Sequence, residues 1–248
     1  MALMRTGNPT LRANAFSGTQ AAPGEESMTL QGAVNKTAIL LFLVVAASCI
    51  TWGQLRVNPA YAMRWSMIWA LVGFVVAMVT VFKKAWAPVT APIYAVVEGL
   101  LLGVLSSLFE LQYPGVVIQA VALTFGTLAA LLVAYSTRLI QVTQNFRLGV
   151  FAATGGICIL YLVDIVMAFF GHRIPMIHES GWLGIGFSVF VVIIAALNLV
   201  LDFDFIEQAS QSEQAKYMEW YAGFGLLVTL IWLYMEILRL LSKVSRRR

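Results

Sequence analysis

The chain has 248 residues, 60% of them hydrophobic and only 11% charged, with a mean hydropathy of +0.83. A soluble domain carries roughly 25% charged residues, so one soluble core cannot hide this much apolar surface; the bilayer is the natural solvent. The net charge of +4 and pI near 9.2 do not indicate nucleic acid, because the basic residues are scattered between apolar runs and gathered at the end as Arg246, Arg247 and Arg248, where membrane proteins anchor to lipid head groups.

Residues 1–33 are polar and small, with Gly, Ser, Thr, Asn and Pro recurring. No apolar core follows the first arginines, so the stretch reads as a flexible polar N-terminal tail and not as a signal peptide. Seven apolar segments follow, each long enough to cross about 30 Å at about 1.5 Å per residue. They run from about Val34 to Leu55, Tyr61 to Phe82, Pro88 to Phe109, Pro114 to Tyr135, Gly149 to Phe170, Gly181 to Asp204, and Trp220 to Leu241. Breaks fall at "RVNPAY" (56–61), "KKAWAP" (83–88) and "LQYPG" (111–115), then at an amphipathic connection (137–149) and the loop "GHRIPMIHESG" (171–181). The runs are continuously apolar, which predicts helices and excludes a barrel of short alternating strands. The expected fold is an all-α membrane protein: a seven-helix transmembrane domain over 34–243 and a basic C-terminal end at 244–248. Most tryptophans fall near segment ends, as an aromatic belt requires.

Orientation is finely balanced. With the N-terminus inside, Arg5, Arg12, Lys36, Lys83, Lys84, Arg138, Arg147 and Lys216 lie inside. Arg56, Arg64, Arg173, Lys243, Arg246, Arg247 and Arg248 lie outside, so the count is eight against seven. Three connections put their cations on one side, which favours a cytoplasmic N-terminus.

Few residues offer chemistry. Cys49 and Cys158 both lie within apolar runs, which argues against a disulfide framework or a cysteine metal site. His172 and His178, with Glu179, are too few for zinc, and no nucleophile, zinc or phosphate-loop motif occurs. The chain reads as a non-enzyme that needs no cofactor.

The acids inside the apolar runs stand out. A charge at mid-bilayer costs about 2.5–3.5 kcal/mol on insertion scales, so intramembrane acids are functional candidates by default. In chain order these are Glu98, Asp164, Asp202, Asp204 and Glu236. Glu98 adjoins Gly99 and Gly103, a small-xxx-small pattern that lets another helix pack closely; it serves as a proton-sensitive latch or simply bonds a hydroxyl on that helix. Asp164 is either functional or a structural acid paired near a span end. Asp202 and Asp204 fall where the sixth run ends, about 200° apart on a helix, and Asn198 shares the face of Asp202. One aspartate is therefore expected inside the bundle with Asn198, the other at a watery mouth or against a basic partner; alternatively, both merely close the helix. Glu236 and Arg239, three apart, are placed to pair on their own helix.

Four stretches carry a family resemblance: "MTLQGAVNKTAILL" (28–41), "APIYAVVEGLLLG" (91–103), "LNLVLDFDFIEQ" (197–208) and "WYAGFGLLVTLIWLYMEILRLL" (220–241). Together they resemble the Bax inhibitor family, the transmembrane Bax-inhibitor-motif proteins, in its bacterial branch with a long N-terminal tail. The resemblance implies a seven-helix bundle with the last helix at its centre and a pH-sensitive calcium leak in a bacterial cytoplasmic membrane. It also implies a latch of two aspartates, one on the sixth and one on the seventh helix, that share a proton. The sixth-helix aspartate carries over to Asp204, with Asp202 beside it. The seventh-helix position falls on Thr229 or Leu230, neither acidic, so the second carboxylate is Glu98, Asp202 or Glu236, or the gate works differently. The partners implied are lipid, protons, and calcium or other cations. Two other readings stand beside the leak: a non-transporting regulator that meets membrane-protein partners through residues 1–33, and a proton-coupled transporter, against which the lack of an internal repeat counts.

Overall fold

In a computed structural model, residues 19, 21, 25–172 and 174–247 are described, apart from the side chains of Arg56 and Tyr61. Most of the predicted tail, Arg173 and Arg248 lie outside the described residues. The described chain is helical: α1 (Leu30–Thr51), α2 (Gln54–Val57), α3 (Pro59–Phe82), a 3-10 turn (Lys84–Trp86), α4 (Ala87–Gln112), α5 (Val116–Ser136), α6 (Gln144–Phe169), α7 (Pro175–His178), α8 (Trp182–Ser210) and α9 (Met218–Arg247). Seven of these helices are long and apolar enough to cross a membrane, so the expected all-α membrane bundle is borne out.

Local chemistry sets the boundaries. Thr29 caps α1, its hydroxyl accepting the Gly32 amide at 2.9 Å, and so the helix begins four residues before the expected Val34. Pro59 opens α3, where its missing N–H costs nothing. Gly115 takes φ +83° before α5, a left-handed turn that glycine adopts freely. Thr143 caps α6 by accepting the Phe146 amide at 3.2 Å, so α6 begins inside the predicted 137–149 connection.

One boundary changes the chemistry. The sixth run was expected to stop at Asp204, but α8 continues to Ser210. Phe205, Ile206 and Ala209 are buried, and their packing holds the last turns in the helix. Asp202 and Asp204 therefore sit well inside α8 and do not terminate it.

The described residues divide into two compact units: 115–205 with 229 onward, and 19–114 with 206–228. In the second unit α4 packs on α1 and α3. A Cβ at Gly99 would lie 2.5 Å from the Val44 carbonyl oxygen, and one at Gly103 would collide with Thr51 and Ser48 of α1. The two glycines let α1 and α4 meet backbone to backbone. Across that crossing Thr51 Oγ1 donates to the Leu100 carbonyl at 2.9 Å, and the Ser107 hydroxyl donates to the Trp52 carbonyl. Many large apolar side chains, among them Phe42, Phe74, Ile118 and Leu183, are exposed, a surface that suits lipid and not water. Of the seven spans, α9 is the most buried: 56% of its apolar window against 44% for α4 and α8.

Candidate functional site

Within the first unit, α6 and α9 each carry polar residues at seven-residue spacing: Arg147, Thr154 and Tyr161 on α6, and Thr229, Glu236 and Lys243 on α9. Seven residues fall about 20° short of two full turns. Each set therefore forms one stripe, and the stripes meet along α8.

The first layer is acidic and hydroxyl-lined. Asp202 is 0% exposed, and Thr229 Oγ1 donates to its Oδ2 at 2.6 Å. One turn back on α8, Asn198 is 1% exposed. Its Nδ2 donates to Thr154 Oγ1 and to the Ile194 carbonyl, both at 2.8 Å. The carbonyl can only accept, so the amide orientation is fixed, and Asn198 Oδ1 is left buried with no partner among the described residues. Asp204, on the opposite side of α8, pairs with Arg147 Nη2 at 2.6 Å. The division expected from helical geometry is thus seen: Asp202 points inward with Asn198, and Asp204 meets a basic partner.

Next comes an apolar layer. Ile157, Val191 and Ile194 are buried together, with Phe187, Tyr161 and Trp232 packed against them. Beyond it lies a second polar layer around Glu236, which is 2% exposed. Tyr161 donates its hydroxyl to Glu236 Oε1 at 2.9 Å. Arg239 donates to both carboxylate oxygens, at 2.9 and 3.0 Å, and to the Tyr161 oxygen at 2.6 Å. Trp232 Nε1 donates to the same carboxylate at 3.3 Å. The expected Glu236–Arg239 pair is present, and Tyr161 extends it across to α6. Lys243 ends the stripe, donating to the Gly184 carbonyl at 2.9 Å and to Ser188 Oγ at 2.8 Å.

The remaining predicted residues are placed elsewhere. Asp164 accepts the Ile174 amide at 2.9 Å and faces His178 Nε2 at 2.8 Å, so it organises the 171–181 loop. Glu98 belongs to the other unit, on α4 opposite Gly73 of α3, and no hydroxyl bonds it among the described residues. Cys49 and Cys158 are unpaired and exposed. Among the described residues no three His, Cys, Asp or Glu gather as metal ligands would.

The structure also shifts one role. One of the two seventh-helix positions of the expected latch, Thr229, bonds Asp202, while Asp204 lies on the opposite face of α8 with Arg147. A neutral hydroxyl thus stands where the resemblance implies a carboxylate. Thr154, Tyr161 and Lys243 were not singled out from the sequence; their seven-residue spacing within apolar runs was the signal that could have found them.

The second unit has a polar clasp of its own. Glu219, at the start of α9, accepts the Thr29 amide at 3.0 Å and the Thr29 hydroxyl at 2.9 Å, and Lys216 lies 3.1 Å away. The Met28 amide donates to the Gln214 carbonyl at 2.6 Å, and the Ala215 amide to that of Thr19 at 2.8 Å. Thr19, Met28 and Thr29 are thereby strapped to the connection before α9 and to its first turn. Gly32 makes room for the clasp, since a Cβ there would collide with the Glu219 carboxylate. Lys216, between the spans, has its pKa raised, chiefly by its hydrogen bond to Glu219.

Comparison with the curated proteins finds no match. A model of the family described as "Bax inhibitor 1 like" matches residues 8–246, nearly the whole length and every helix of the stripe. The chain belongs to the Bax inhibitor 1 like family.

Proposed function

We propose that this chain is a cation leak of a bacterial cytoplasmic membrane, with calcium as cargo, closed in this conformation and controlled by protons at Asp202. The observation that carries the reading is the Asp202–Thr229 contact: a carboxylate with no exposed surface, bonded by an uncharged hydroxyl from the last helix. A fully buried acid is an expensive feature in a span, and it marks an ion or proton path by default. With Asn198 Oδ1 and the Thr154 hydroxyl beside it, the layer offers hard oxygen donors of the kind calcium takes. The apolar layer of Ile157, Val191 and Ile194 supplies the closed gate, since an apolar constriction excludes ions. An ionised Asp202 attracts a cation to the layer, whereas a protonated one does not. In this reading the protein is a conduit and not an enzyme, and its N-terminus is cytoplasmic.

The test is calcium entry into dye-loaded liposomes between about pH 6 and 8, around the span in which physiological switches titrate. Asp202→Asn is expected to lower entry and flatten its pH dependence. A wild-type rate equal to empty liposomes at every pH overturns the proposal.

A second reading, a regulator acting through protein partners, is favoured by the strap that Thr19, Met28 and Thr29 form with the connection before α9 and its first turn. Removing residues 1–18 is then expected to abolish function in cells while flux persists. A truncated chain that works normally in cells overturns it.

A further inference from the structure

We propose that Lys243 is a fixed positive plug that holds cations out of the polar stripe at the end remote from Asp202; the proposal deepens the leak reading and rests on it. Lys243 is only 5% exposed. Its ammonium is held by two neutral oxygens, the Gly184 carbonyl at 2.9 Å and Ser188 Oγ at 2.8 Å, and no carboxylate lies within ion-pair distance among the described residues. Glu236, two turns back on α9, is taken by Arg239 at 2.9 Å.

A lysine that only anchors a helix end keeps its ammonium in water and buries its stem. Lys243 buries its ammonium as well as its stem. Burying an ammonium without a counter-ion is costly, and a charge buried in a span marks an ion path by default. Its position fits that role. Thr229, Glu236 and Lys243 share one stripe of α9, and Ser188 and Gly184 lie on the same helix as Asp202. The ammonium therefore stands in line with the acidic layer, with the apolar layer between. Charge of one sign at a constriction repels the same sign in a low-dielectric setting.

The experiment measures calcium and potassium entry into liposomes at a fixed protein-to-lipid ratio. Lys243→Met keeps the volume and removes the charge. It is expected to raise entry about tenfold, which corresponds to about 1.4 kcal/mol of barrier. Lys243→Arg keeps the charge and is expected to hold the wild-type rate. Lys243→Gln, which can still donate to the Gly184 carbonyl, is expected to rise as Met does and serves if Met fails to fold. A merely structural lysine predicts a lower melting midpoint in Lys243→Met without a rise in flux, and that result overturns the plug. An equal rise in Lys243→Arg overturns it too. If wild type conducts and the neutral variants match it, the plug falls and the leak stands. If none conducts, both fall.

Discussion

The hydroxyl of Thr229 on α9 donates a 2.6 Å hydrogen bond to Asp202 on α8, a carboxylate with no exposed surface. The bond joins residues 27 apart in sequence and ties α8 to α9 inside one unit. Removing the donor leaves a buried acceptor one bond short, which costs about 1–3 kcal/mol. Thr229→Val is therefore expected to lower the melting midpoint of the detergent-purified protein. Because the two residues interact directly, Thr229→Val with Asp202→Leu is expected to lose less than the sum of the single changes. A strictly additive cycle would mean that the contact contributes nothing.

Glycine substitutions are expected to split by location. Gly99→Ala puts a methyl 2.5 Å from the Val44 carbonyl oxygen, so α1 and α4 must separate, at a cost of about 1–3 kcal/mol. A methyl at Gly126 in α5 meets nothing within 4 Å, and Gly126→Ala is expected to gain about 0.5–1 kcal/mol from helix propensity alone. Midpoints moving in opposite directions in one denaturation series would establish the crossing; equal shifts would argue against it.

The strap at the start of α9 carries its own pH dependence. The Lys216 pKa is raised above 10.5, first by its hydrogen bond to Glu219. A raised lysine contributes fully below its ordinary value and loses that contribution as pH rises through the folded one. The strap is thus expected to hold unchanged across neutral pH and to loosen only in strong alkali. Hydrogen exchange at the Met28 and Ala215 amides reads it directly. Lys216→Ala is expected to speed exchange there at neutral pH, and an unaltered rate would show that Glu219 and Thr29 suffice.

Much of this protein was legible in its sequence, for a physical reason. A bilayer demands about 20 apolar residues per crossing, so seven runs announced seven helices, and the family resemblance agreed with the match over residues 8–246. Helical periodicity is just as local: about 100° per residue put Asn198 and Asp202 on one face and Asp204 on the other, and it put Glu236 beside Arg239. What periodicity cannot supply is the neighbour. Which hydroxyl meets Asp202, that Arg147 reaches Asp204 from 57 residues away, and that Lys243 ends against Gly184 and Ser188 all depend on the relative register of α6, α8 and α9. Packing also carried α8 past Asp204 to Ser210, because Phe205, Ile206 and Ala209 find buried places. The sequence by itself determined the helices and the faces they turn; only the tertiary structure decided which faces meet, since register is set by side-chain packing between segments far apart in the chain.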